Sequence, residues 1–281
     1  MVKIDYTIAD VAPYINWIYF FHAWGSSSMP QQGRAELQAE AEERLRRCAD
    51  RYRAHAVFEI YDAYGEDDDI VVRGTRCEVR GARCNERDTR CDERGARIPC
   101  LRQQQQGSEF LCLADFVGKQ DKIGVFATTV DAGMEKDFDP DPYERMMMQL
   151  LADRLAEATA ERLHEQVRKH YWGYAPDEHL SVGEMLQERW QGIRPAVGYP
   201  SLPDTSLNFV LDRLVNLRQI GIRLTESGAM KPHASVSGLM LAHPEARYFN
   251  VGKIGDDQLE DYARRRDVPV GLMRKFLGGN L

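Results

Sequence analysis

Apolar positions along this chain recur in two periods. Between residues 205 and 217, Leu207, Val210, Leu211 and Leu214 fall three and four apart, the spacing of one helical face. Residues 141–170 make the longest such stretch. There Leu151, Leu155, Ala158 and Arg162 lie close to one stripe, flanked by Met147 and Met148, while Asp153, Glu157 and His164 occupy a roughly opposite face that reads as solvated. Pro142 falls in the first turn, where a missing N–H costs nothing. Residues 30–54, rich in Ala, Glu, Leu and Arg, predict a second long helix. Ser181 followed by Glu184 predicts a capping box opening a short helix, and residues 256–265 and 269–277 predict two more.

Strand signals lie between these helices. Residues 55–64 are β-branched and aromatic, and 67–72 read as their hairpin partner across an acidic turn. Residues 122–130, with Gly124 inside, and 234–241 and 248–251 complete the set. Strands that do not alternate strictly, interleaved with helices, predict an α+β fold rather than a doubly wound sheet. No Pro- or Ser-rich linker divides the chain, so residues 1–281 read as one domain.

Composition narrows the function classes. The chain is 43% hydrophobic and 29% charged, ordinary for a globular protein, and carries a net charge of −7, which disfavours nucleic acid as a partner. The apolar run Trp17-Ile18-Tyr19-Phe20-Phe21 is too short for a membrane span and has neither the basic flank nor the cleavage site of a signal peptide. No membrane, a cytoplasmic location and reduced thiols are therefore expected.

From Arg73 the sequence reads RGTRCEV, RGARCNE, RDTRCDE, RGAR, placing Cys77, Cys84 and Cys91 seven residues apart. The spacing matches neither a zinc site nor an apolar coiled-coil seam. An expanded repeat inserted in a surface loop, at about 73–97, is the expectation.

One segment carries candidate binding chemistry. In Arg194-Pro195-Ala196-Val197-Gly198-Tyr199-Pro200 the two prolines exclude helix interior and central strand, and Arg194 offers a planar fork of donors suited to a carboxylate. On chemistry alone an ordinary Pro-rich connection with a surface Arg is the favoured reading. Other motifs fail. Asp177-Glu178-His179 reads as a loop, no G-x-G-x-x-G turn exists, the histidines form no zinc set, and Met146-Met147-Met148 reads as packing. No metal site is expected.

Arg-Pro-Ala-x-Gly-Tyr-Pro, together with Tyr171-Trp172-Gly173-Tyr174-Ala175-Pro176, Cys112-Leu113-Ala114-Asp115-Phe116-Val117, Leu151-Ala152-Asp153-Arg154-Leu155-Ala156-Glu157-Ala158, Ala234-Ser235-Val236-Ser237-Gly238 and Asp257-Gln258-Leu259-Glu260-Asp261-Tyr262-Ala263, resembles the reactivation domain of cobalamin-dependent methionine synthase. These motifs occur in the family's order from about residue 8 to the end. The resemblance implies a twisted antiparallel sheet flanked by helices, and a site for S-adenosylmethionine. Arg194 matches the residue that binds the ligand carboxylate. Ala196 and Tyr199 share its loop, Glu157 and Glu188 match acidic residues of the site, and Tyr248 and Phe249 match a bordering Tyr-Tyr pair. Asn16 stands where the family has Asp and brings no charge to the ligand's ammonium. Asp153 matches a carboxylate that meets a histidine of the cobalamin module. Met230, Lys231, Pro232 and His233 resemble the loop facing the corrin, with Lys231 and His233 replacing Trp and Gly of a bacterial member.

By resemblance the chain is a stand-alone reactivation module with S-adenosylmethionine as its cofactor. It would support reductive methylation of cob(II)alamin to methylcobalamin on cobalamin carried by a methionine synthase module in trans, with flavodoxin or a similar reductase as electron donor. No side chain is expected to act as a catalytic acid or base, because cobalt is the nucleophile. The alternative is a non-catalytic S-adenosylmethionine-binding partner or chaperone of a corrinoid protein.

Overall fold

The computed structural model describes residues 1–25, 29–73, 96–104, 109–138 and 140–281. The heptads, apart from Arg73, Ala96 and Arg97 at their edges, lie outside these residues.

A six-stranded antiparallel sheet forms the centre. Its strands are β1 (Val2–Thr7), β2 (Arg53–Glu66), β3 (Asp69–Val72), β4 (Ala96–Pro99), β5 (Asp121–Val130) and β8 (Ser235–Met240). The 14-residue β2 organises it. One edge of β2 pairs with β1 along its first half and β3 along its last turn, so β1 and β3 sit end to end. The other edge pairs with β5, which pairs onward with β8. β6 (Arg223–Leu224) and β7 (Met230–Lys231) form a separate ribbon. β3 and β4 pair from Asp69 with Pro99 to Val72 with Ala96, closing the hairpin that flanks the heptads.

Both faces of the sheet are covered, which is why β5 reads as a nearly continuous apolar run rather than an alternation. Phe58, Phe126 and Val130 face the long helix α5 (Pro142–Gln166), together with α1 (Ile8–Val11), α2 (Trp17–Ala23), α3 (Gln31–Cys48) and α4 (Gly133–Lys136). Val57, Ile123, Val125 and Leu239 face α7 (Asn208–Val215) and the chain around Leu202. The C-terminal helices α8 (Asp256–Arg266) and α9 (Val270–Phe276) pack a third cluster around Tyr262 and Met273. α6 (Val182–Met185) is the short helix opened by the Ser181–Glu184 capping box. Among the described residues no helix is long and apolar enough to cross a membrane.

Three expectations are corrected. The solvated face of the long helix does not exist at His164, which is fully buried, because α5 is enclosed by the sheet on one side and by residues 172–194 on the other. Residues 248–251 form no strand: Phe249 is held by the Ser201 hydroxyl, and the Val251 N–H donates to the Pro200 carbonyl. The helix expected over 30–54 ends at Cys48, and the chain turns into β2 at Arg53. The sequence reading also missed β1, although Val2, Ile4 and Tyr6 alternate with exposed polar residues and pack toward the core; of the six residues only Tyr6 is buried.

Candidate functional site

α5 supplies the floor of the site. Asp141 caps it by accepting from the N–H groups of Tyr143 and Glu144. Its middle turns then lie across the sheet, where the Thr128 hydroxyl donates to the Ala156 carbonyl. This turns Glu157 and Glu161 toward the Arg194 segment, while Ala158 between them packs into the main core.

The opposite wall is the Arg194 segment. It runs beside β8 as an irregular extra strand: the Ile193 and Val197 N–H groups donate to Leu241 and Ser237 carbonyls, and Leu239 N–H donates to Pro195. Two glycines allow this approach. A Cβ on Gly238 would sit 2.2 Å from the Pro195 carbonyl oxygen, and one on Gly192 would sit 2.2 Å from the Leu241 oxygen. Gly198, at φ +90°, then turns the chain so that Tyr199 projects back toward α5.

Between these walls lies a cavity of about 760 Å³. Asn16, Glu157, Glu188, Arg194, Ala196, Tyr199, Tyr248 and Phe249 all line it. They come from the start of α2, the middle of α5, the turn after α6, the β8-hugging segment and the 248–251 stretch, so only tertiary folding brings them together. Tyr14, Tyr19, His22, Arg154 and Glu161 line it as well and were not anticipated.

Local chemistry separates the two ends of this cavity. The Tyr199 hydroxyl donates to Glu157, and burial followed by the Glu157 charge raises the Tyr199 pKa. The Tyr248 hydroxyl accepts from the Arg194 backbone N–H at 2.9 Å, and burial pushes its pKa up to about 12. Arg194 donates to the Ala160 carbonyl at 2.7 Å and to Glu161 Oε1 at 2.5 Å. Glu188 sits at the mouth with left-handed backbone, φ +57°, and its pKa is raised by burial and then by the nearby Glu161 charge. Asn16 spends its side-chain oxygen capping α2 through the Ile18 N–H. The cavity therefore offers three carboxylates, a pinned guanidinium and a ring of tyrosines, suited to a small molecule with both cationic and anionic groups.

A family profile described as "Vitamin B12 dependent methionine synthase, activation domain" matches residues 7–267. The chain belongs to this family. Among solved structures it is similar to one described as "Crystal Structure of the MetH Reactivation Domain bound to AdoHcy", with 36% sequence identity and a TM-score of 0.87 over 100% of this chain and 90% of that one. The activation-domain fold is thus an α+β arrangement of a curled antiparallel sheet and helices, as the motifs implied.

The residues expected to face a corrin lie apart from the cavity. Met230 and Lys231 form β7, and Pro232 and His233 lead from it into β8. Asp153, on the same helix as Glu157, does not line the cavity; its pKa is raised by burial above all, and Glu135 and His233 are among the charges acting on it. Glu135 also accepts from the Ala234 N–H, tying α4 to this edge. Asp153, Glu135 and His233 thereby form a second polar surface beside the first. Among the described residues no cluster of His, Cys, Asp and Glu has the form of a metal site.

Proposed function

We propose that this activation domain binds S-adenosylmethionine in the cavity between α5 and the Arg194 segment. It would thereby support reductive methylation of cob(II)alamin on a methionine synthase cobalamin module of another chain. The observation carrying this reading is the convergence of the eight named residues, from five separate segments, on one cavity of about 760 Å³. The similar solved domain was crystallised with AdoHcy, the product left after methyl transfer.

The residues fit such a ligand. Arg194 retains unused N–H donors for the amino-acid carboxylate, Glu157 and Glu188 offset the ligand's positive charges, and the tyrosine rings exclude water around the adenosyl group. When bound, the sulfonium supplies a methyl group activated for transfer to cobalt. One electron, from flavodoxin or a similar reductase, and one methyl cation convert cob(II)alamin to methylcobalamin and leave S-adenosylhomocysteine. The chain's own part is orientation and a charge-matched pocket, with no proton moved by a side chain. Asp153, beside Glu135 and His233, would receive a histidine of the docked cobalamin module.

The test uses this chain, a cobalamin-loaded module, a reductant and S-adenosylmethionine, followed by the cobalt absorption spectrum. Conversion of cob(II)alamin to methylcobalamin that requires this chain supports the proposal. Ligand and module binding without methylcobalamin would make the chain a binding partner or chaperone instead.

A further inference from the structure

Glu161 belongs to none of the motifs that carried the site, yet it is the residue in closest charge contact with Arg194. It follows Glu157 by four residues on α5, lines the same cavity, and its side chain is 15% exposed against 8% for Arg194. Arg194 reaches α5 at two adjacent points, the Glu161 carboxylate and the Ala160 carbonyl. Its backbone N–H is fixed by the Tyr248 hydroxyl, and Pro195 follows. The guanidinium is thus anchored from the helix and its main chain from the 248–251 stretch.

Two roles are open to a carboxylate in this position. It could compete with a ligand carboxylate for Arg194, or it could hold Arg194 ready for one. Hydrogen-bond capacity decides between them. A guanidinium carries five N–H donors, and the two contacts on α5 occupy one from each terminal nitrogen. Nε–H and a second N–H on each terminal nitrogen are left, so a ligand carboxylate can be bound without displacing Glu161. An arginine side chain left unpaired would lose rotamer entropy on ligand binding; one already fixed does not.

We infer that Glu161 is a positioning residue that presents the Arg194 guanidinium to the carboxylate of the ligand's amino-acid end. This deepens the proposed S-adenosylmethionine site and rests on that reading.

The experiment is a calorimetric titration of the full chain with AdoHcy and, in parallel, with 5′-methylthioadenosine, which keeps the adenosyl thioether but lacks the amino-acid carboxylate and ammonium. E161D, which keeps the charge and shortens the reach, and E161A should each weaken AdoHcy at least tenfold while changing methylthioadenosine less than twofold. E161Q, which keeps the acceptor, should stay near wild type. In an R194A background E161A should cost nothing further, because its effect passes through Arg194. Tighter AdoHcy binding by E161A, equal weakening of both ligands, or additive losses in the double variant would overturn the inference. If wild type binds no AdoHcy, the proposed function falls as well; if wild type binds and E161D is unchanged, only the role of Glu161 falls.

Discussion

Asp153 and Glu157 stand one turn apart on α5 and serve different surfaces: Glu157 meets Tyr199 in the cavity, whereas Asp153 lies outside it, under the charges of Glu135 and His233. Substitutions should separate the two. Glu157→Gln should weaken AdoHcy by about 1.5–3 kcal/mol, the worth of a hydrogen bond to a charged group, read by calorimetry. Asp153→Asn should leave AdoHcy affinity unchanged and reduce methylcobalamin formation with a cobalamin module.

Affinity should depend on pH through Glu188. Its pKa is raised by burial and by Glu161, so on acidification it takes up a proton before an ordinary glutamate does. The ligand's ammonium favours the ionised form. AdoHcy affinity should therefore fall as pH drops toward the carboxylate range, and Glu188→Gln should flatten that dependence. An unchanged pH profile in the variant would remove Glu188 from the site.

Stability should depend on pH through His164. The imidazole is fully buried, and burial, then the charges of Arg168 and Arg194, hold its pKa well below the usual value. In the unfolded chain it titrates normally, near pH 6.5. Below that pH the unfolded state binds a proton that the folded state refuses, so stability declines as pH falls. Denaturant unfolding of His164→Gln between pH 7.5 and 5 should show a shallower decline than wild type.

Gly238→Ala tests the wall of the cavity. The new Cβ would collide with the Pro195 oxygen and lie 2.9 Å from the Ala196 Cα, both backbone atoms that cannot rotate away. A loss of about 2 kcal/mol or more is expected, with weaker AdoHcy binding, since the displaced segment carries Arg194. Thermal unfolding and calorimetry check it.

Replacing residues 75–94 with a short Gly- and Asn-containing turn should leave the melting temperature within a few degrees. Val72 and Ala96 are already paired, Arg73 bonds back to Asp62, and loop-closure entropy varies only logarithmically with length. A collapse in melting temperature on scanning calorimetry would make the repeat structural.

Much of this architecture was legible in the sequence because local signals and packing agree there. The Ser181–Glu184 box, Pro142 in the first turn of α5, and the apolar run of β5 each announce themselves within a few residues. The site was legible only through motif resemblance, since nothing local tells Glu157 from a solvent-facing glutamate. Glu161 and the buried pair of Arg168 with Glu178 were illegible for the same reason: both partners look like surface residues until the chain folds residues 172–194 over α5. His164 shows the converse, a polar residue placed on the wrong side of the helix because enclosure from two directions leaves no solvated face at that turn.

Because the cavity floor is the middle of α5, occupancy cannot remain a local event. The same helix carries Met147, Leu151 and Leu155 into the main core, so the backbone under Glu157 and Glu161 moves away only if the helix leaves the sheet. A ligand that holds those carboxylates holds the fold's longest element. At a hundredfold excess over its dissociation constant it would add about 2.7 kcal/mol to global stability. A simple thermal melt thus becomes a screen for the natural ligand, and cells short of that ligand would carry this domain in its most protease-sensitive form.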